Sequence, residues 1–431
     1  MSTNVVSDTE SLRSIPPVYA DEAQHPITLS RSRIDSIDLL RGIVMVIMAL
    51  DHTRDFVHNA AFQFQPEDLS RTNVALFLTR WITHYCAPTF VFLAGTGIYF
   101  QFSRSKDKLQ LTRFLISRGL WLIFLEITVI RFAMFFNFDL KFVMMMQVIW
   151  VIGVSMVLMG GLIWLPLKAI GVFGVAMIAL HNLLDLVPID AWRFGTPAPG
   201  LGVKLWMILH QPGVMPLAGF PGPVIFAVYP VIPWVGVMAA GFAFGSIYRK
   251  TTQDRKRLLF RLGFVVTIMF LIVRAINVYG DPSPWESQSR GFAFTILSFL
   301  NTTKYPPSLH YLLMTLGPAI LMLALFEDGN AKPATGLKGF FVTFGRVPLF
   351  FYVLQWPAIH LVSVALHAAF GKPIGFLFES PLDWNNLSGK VGFNLAVAYA
   401  CWIAVVLLLY PLCKWFAGVK RRRRDWWLSY M

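Results

Sequence analysis

Long, continuously apolar runs recur along this chain and restrict its fold more than any other feature. Leu39 to Leu50, Ala75 to Phe100 and Ala396 to Leu412 are the clearest of them. A helix needs about 20 mainly apolar residues to cross the hydrocarbon core, whereas a transmembrane β-strand alternates apolar and polar residues over segments of about 10. These runs do not alternate. Of the 431 residues, 56% are hydrophobic and only 14% charged, against about 45–50% and 25% in ordinary globular domains. A soluble enzyme is excluded, and the chain reads as an all-α, polytopic integral membrane helix bundle.

Apolar runs of spanning length predict ten transmembrane helices, near 36–58, 74–102, 112–134, 143–165, 169–187, 224–247, 260–278, 308–326, 340–366 and 391–417. Residues 1–30 are polar and contain Pro16, Pro17 and Pro26 without an apolar core, so they read as a disordered cytoplasmic tail, not a signal peptide. The membrane domain is expected over 31–419, followed by a basic cytoplasmic tail over 420–431. With the N-terminus inside, most of the 37 Lys and Arg residues fall on the cytoplasmic side, including Arg104 to Arg113, Arg249 to Arg261 and Lys420 to Arg424. An even number of spans puts both termini there. The net charge of +14 then reflects topology, with anionic membrane lipids as partners, and no motif points to nucleic acid. Cys86, Cys401 and Cys413 all fall in predicted spans, so neither a disulfide framework nor a metal site is indicated.

Ionisable residues inside spans mark sites by default, because each costs a few kcal/mol at the bilayer centre. The first predicted helix is densest in them, with Arg41, Asp51, His52, Arg54, Asp55 and His58. Arg41 and His52 are 11 residues apart and so share a helix face with Asp55; the rise between them is about 16 Å. Asp55, one turn past His52, is placed to orient its imidazole, while Arg54 is placed to pair with Asp51. An imidazole supported by a carboxylate is the arrangement for removing a proton from an attacking hydroxyl or amine. Such a cluster also reads as a plain juxtamembrane set of ion pairs. His84, just before the Pro88 break in the second span, is expected to contact substrate. Glu126 with Arg118 or Arg131 reads as a structural ion pair, and Gln147, Arg274 and Asn277 as cavity-lining groups. His360 and His367 read as helix–helix hydrogen-bonding groups.

The stretch Arg33, Ile34, Ser36, Ile37, Asp38, Leu39, Leu40, Arg41, Gly42 resembles the opening signature of the bacterial DUF1624 family. That family is similar to the catalytic domain of heparan-alpha-glucosaminide N-acetyltransferase and to wider transmembrane acyltransferases. The resemblance continues through Ala49 to Asp55, Pro88 to Gly95, Lys304 to Ser308 and Gly345 to Leu349. It implies transfer of an acyl group, typically acetyl, from cytoplasmic acetyl-CoA or another acyl-CoA to an amino or hydroxyl group of an envelope sugar or glycolipid. It also implies residence in a bacterial inner membrane. One branch of relatives points to His52 as the base, eleven residues after the Arg of an Arg-Gly pair; another points to His58. Arg41 and Arg118 are the expected contacts for the coenzyme, with Asp51 and Arg54 supporting the site. The competing reading is a proton-coupled secondary transporter using the same His and Asp residues. No second copy of the Arg-Gly to Asp-His segment follows residue 200, whereas transporters are often built from repeats.

Overall fold

The ionisable helix packs against several of the others. In the computed structural model, residues 35–431 are described except 106, 191, 194–195, 218–221, 328–333, 381–386, 388 and 424; the expected 1–30 tail lies outside them. Helix α1, Asp35–Val57, carries Asp35 and Asp38 in its first turn and Arg54 in its last, as the helix dipole favours. It is followed by α2 (Val74–Thr83), α3 (Cys86–Phe102) and α4 (Lys108–Leu125). Helix α4 runs through a π-helical segment, Glu126–Ile130, into α5 (Arg131–Phe135). Then come β1 (Phe142–Met146), α6 (Val148–Leu162), α7 (Leu167–Leu180), α8 (Leu201–Leu209), β2 (Gly213–Pro216) and β3 (Val224–Ala227). The rest is helical: α9 (Val231–Phe244), α10 (Thr252–Ile276), α11 (Phe292–Leu300), α12 (Leu309–Phe326), α13 (Gly336–Arg346), α14 (Pro348–Ala369) and α15 (Leu395–Arg422). Helix α1 packs against α2, α3 and α12 through α15.

Among the described residues, six helical segments are long and apolar enough to cross a membrane: Leu167–Leu186, Val231–Arg249, Thr252–Ile276, Leu309–Phe326, Pro348–Ala369 and Leu395–Arg422. Their outward surfaces are apolar: Phe260, Phe264, Ile272 and Ile276 on α10, and Leu407 and Leu408 on α15, are exposed. Ionisable groups such as Asp51, Arg54, Arg80 and Arg274 are buried. That inversion of the soluble pattern suits a lipid surround.

Four expected helices are corrected. The 74–102 span is two helices, because Pro88 supplies no N–H to continue a ladder and fits only in the first turn of a new helix, α3. The 340–366 span breaks at Val347, which the following Pro348 pushes out of helical geometry (φ −133°, ψ 49°). The 224–247 span starts as strand β3, since a helix there would hold Pro230 and Pro233 in its interior. The 143–165 span likewise starts as β1, captured by parallel pairing with β3, while β2 pairs antiparallel on β3's other edge. The C-terminal boundary expected at 419 falls inside α15, and beyond it a 3₁₀ turn at Trp426–Ser429 brings the Tyr430 hydroxyl to 2.7 Å from that of Ser117 on α4.

Glycines set the closest helix crossings. A Cβ on Gly42 of α1 would lie 1.8 Å from the Phe341 carbonyl oxygen of α13, and one on Gly345 would lie 1.8 Å from the Asp38 carbonyl oxygen of α1. Helices α3 and α9 meet the same way through Gly95 and Gly241, where the Thr96 hydroxyl donates to the Gly241 carbonyl at 3.0 Å. Small residues let backbones touch where no hydrophobic force drives helices together. Gly345→Leu should therefore exceed the usual overpacking cost of about 1–3 kcal/mol, because the obstacle is backbone and cannot rotate away. The expected outcome is loss of the monodisperse peak in detergent size-exclusion chromatography, against a wild-type-like profile for Gly97→Leu, where a Cβ meets nothing within 4 Å.

Candidate active site

The last turns of α1, the end of α2 and two connections converge on one carboxylate. Asp51 is buried and faces Arg80 Nη1 at 2.5 Å, Arg54 Nη2 at 3.0 Å and Lys304 Nζ at 3.8 Å. Arg54 also pairs with Asp55 at 2.5 Å, and Arg80 Nε with Glu67 at 2.6 Å. The order Asp55, Arg54, Asp51, Arg80, Glu67 alternates in sign, and Lys304 brings the cluster to three acids and three cations. Removing one partner from a buried set of this kind costs about 3–5 kcal/mol, since the remaining charges are left uncompensated.

Lys304 reaches Asp51 because its loop is tied down from behind. Asp281 accepts from the Thr303 backbone N–H (2.9 Å), the Thr303 hydroxyl (2.8 Å) and the Ser308 hydroxyl (2.6 Å). Arg274 donates to the carbonyls of Ser298, Phe299 and Asn301. Arg274 is thus a loop anchor and not the cavity-lining group expected, and Asn277 binds the Trp285 backbone.

Beside the charge cluster opens a cavity of about 560 Å³. His52, Asp51, Asp55, Arg54, Arg80 and Lys304 line it together with Gln147, Tyr229, Tyr305, Phe226 and Trp356. The imidazole of His52 is stacked on the Trp356 indole, centroids 4.0 Å apart and planes 24° apart. Its Nδ1 is buried with no hydrogen-bond partner. The expected Asp55–His52 contact is not formed, because the half-exposed Asp55 turns its carboxylate to Arg54. Asp51, Asp55 and His52 all line the cavity.

The other expected residues are spread more widely. His58 caps the 3₁₀ turn Asn59–Phe62, its Nδ1 accepting from the Ala60 N–H at 3.2 Å, and does not line the cavity. His84 sits at the α2–α3 break, 1% exposed, with Nε2 3.5 Å from Glu67 and its carbonyl accepting from the Tyr311 hydroxyl. It supports Glu67 and stays outside the cavity lining. Arg41 lies near the opposite end of α1, beside Asp38 (3.4 Å) and the Gly345 carbonyl (3.5 Å), within electrostatic reach of Arg118. Neither arginine lines the cavity. His367 bridges to the Gly392 N–H as a hydrogen-bonding group should, whereas His360 is packed among Phe56, Phe136 and Phe378. Arg80, Glu67, Lys304 and Trp356 are among the residues that the sequence does not single out as site members. Arg80 carried a readable signal, an arginine inside an apolar run; Glu67 lies in a polar connection and carried none.

Among the described residues no group of three or more His, Cys, Asp and Glu side chains is placed to hold a metal ion. Glu67 lies in the connection between α1 and α2. Burial alone would raise its carboxyl, but Arg80 and His84 outweigh that and hold it well below its ordinary value of 4.5. A depressed carboxyl stabilises the fold above its unfolded-state value and loses that contribution as pH falls through the folded-state one. Thermal stability in detergent should therefore decline progressively below about pH 4.5. In Glu67→Gln the acid-side decline should be shallower, from a lower plateau at neutral pH.

No curated protein matches the chain. The family model described as heparan-alpha-glucosaminide N-acetyltransferase, catalytic, matches residues 33–279, more than half of the 431. The matched region contains α1 through α10 and, with them, His52, the Asp51 charge cluster apart from Lys304, and most of the cavity lining. The chain belongs to the heparan-alpha-glucosaminide N-acetyltransferase catalytic-domain family.

Proposed function

We propose that this multi-pass membrane protein transfers an acyl group, acetyl in the first instance, from acyl-CoA to an amino or hydroxyl group of an envelope sugar or glycolipid. The observation that carries the reading is the cavity itself: within a chain of this family, it sets an imidazole with a free Nδ1 against a fixed charge cluster and a row of aromatic faces. Trp356, Tyr229 and Tyr305 offer flat apolar surfaces of the kind that cover sugar rings, and the charged groups between them suit hydroxyls.

In this reading His52 takes the proton from the acceptor O–H or N–H as that atom attacks the thioester carbonyl. The carbon–sulfur bond breaks, and the proton passes from His52 to the departing thiolate. Asp51 supplies a fixed negative charge beside the ring while it carries the proton. Arg54 and Arg80 hold Asp51 in place, and Lys304 faces the acceptor. Arg41 and Arg118 hold the phosphate end of the coenzyme, about 16 Å along α1 from His52. That span matches the scale of an extended pantetheine arm. We read the topology as ten crossings of a bacterial inner membrane, both termini cytoplasmic, with the coenzyme entering from the Arg41 end and the acceptor from the Lys304 end.

The test is transfer of radiolabel from acetyl-CoA to envelope lipid and glycan extract by purified protein. His52→Ala should lower the rate by roughly 10²-fold or more, the range general-base catalysis supplies, and His58→Ala should keep most of it. Undiminished transfer by His52→Ala refutes the assignment of the base; absence of acetyl-CoA binding refutes the enzyme class.

A further inference from the structure

The charged residues account for one part of the cavity lining, and the reaction proposed above leaves an apolar part unused. Met48, Cys86, Ala87, Met134 and Met145 make up much of it. Met48 stands one turn from His52 on the same face of α1, on the side of Arg41. The Cys86 thiol, in the first turn of α3, donates to the Val44 carbonyl at 3.2 Å, about two turns of α1 from His52. Ala87 follows it in the chain and lines the cavity with a single methyl group, where a larger side chain would take up space.

The other two methionines come from α5 and β1, which side chains hold together. Arg131, expected to pair with Glu126, donates instead to the carbonyls of Asn137, Asp139 and Phe142 and so fastens α5 to the start of β1. Gln147 Nε2 is 3.5 Å from the sulfurs of both Met134 and Met145. On β1, Met145 takes the face opposite to the buried Met144 and Met146 and is half-buried. The thioethers therefore meet the cavity from a fixed frame, while each unbranched side chain can adapt to the shape of what packs against it.

A sugar ring brings hydroxyls and a pantetheine arm brings amides, and a lining of methionine, cysteine and alanine side chains leaves such groups unsatisfied. A hydrocarbon chain loses nothing there. Resting on the acyltransferase reading, we propose that this lining is the binding site for the hydrocarbon part of the acyl group, and that the preferred donor is a short-chain acyl-CoA longer than acetyl. With the carbonyl carbon beside His52, Met48 is the first apolar surface along α1 that the chain meets. The acceptor atom bonds to that carbon, the carbon–sulfur bond breaks and the proton passes through His52 to the thiolate, while the chain stays seated.

The experiment uses the full-length protein in detergent with the envelope extract and acetyl-, propionyl-, butyryl- and hexanoyl-CoA. From acetyl to butyryl, kcat/KM should rise roughly fourfold per methylene, the factor that about 0.8 kcal/mol of apolar burial per CH₂ gives. Ala87→Leu, which fills the site, should lower the hexanoyl-to-acetyl ratio of kcat/KM roughly tenfold. Met145→Ala, which deepens it, should raise the same ratio. Movement in opposite directions separates a binding site from a packing defect, which slows every donor alike. If Ala87→Leu does not fold, Met145→Ala, at a half-buried position, carries the test. Acetyl-CoA preferred over every longer donor, or a ratio that neither variant moves, overturns this inference and leaves the proposed function standing. No binding of any acyl-CoA by the wild type overturns both.

Discussion

A carboxylate buried among membrane helices must be balanced where it stands, and the neighbourhood of Asp51 is organised around that requirement. Arg54 comes from the same helix, Arg80 from α2 and Lys304 from the loop before α12. Each of these is itself held: Arg54 by Asp55, Arg80 by Glu67, Lys304 by a loop that Asp281 and Arg274 anchor. The ion pairs thereby fix the relative positions of elements far apart in sequence. A cluster of equal acids and cations has no charge to spare for pulling in a substrate by itself. In the mechanism proposed above, its role is to hold geometry and to keep the field at His52 constant.

The membrane class and most helix positions were legible from apolar runs alone, because hydrocarbon demands the same thing of every span. Helix α1 was read within one residue at each end. Where reading failed, proline or tertiary pairing had overruled hydrophobicity: Pro88 and Pro348 divided two spans, and β1 became a strand only because β3, some 80 residues later, lies beside it. Apolar content cannot distinguish a buried strand from a buried helix segment.

The site was half legible. Scarcity of charge picked out Asp51, His52 and Arg54, which the structure does bring to one cavity. Helical spacing also suggested that Asp55 serves His52, and there it misled, since a side chain pairs with the strongest partner in reach and Arg54 was nearer. Glu67 and Lys304 could not have been placed by periodicity, which says nothing about connections. Trp356 looks in sequence like any aromatic residue in an apolar helix, and only the structure puts it against the His52 ring.

The reciprocal glycine contact between α1 and α13 bears on how such a protein can work. With Gly42 seated on the Phe341 carbonyl and Gly345 on that of Asp38, α1 and α13 meet backbone to backbone. The helix behaves as a ruler of fixed length, with Arg41 near one end and His52 near the other. In the acyltransferase reading proposed above, what crosses the membrane is the reactive group alone, handed over at the point along α1 where His52 stands.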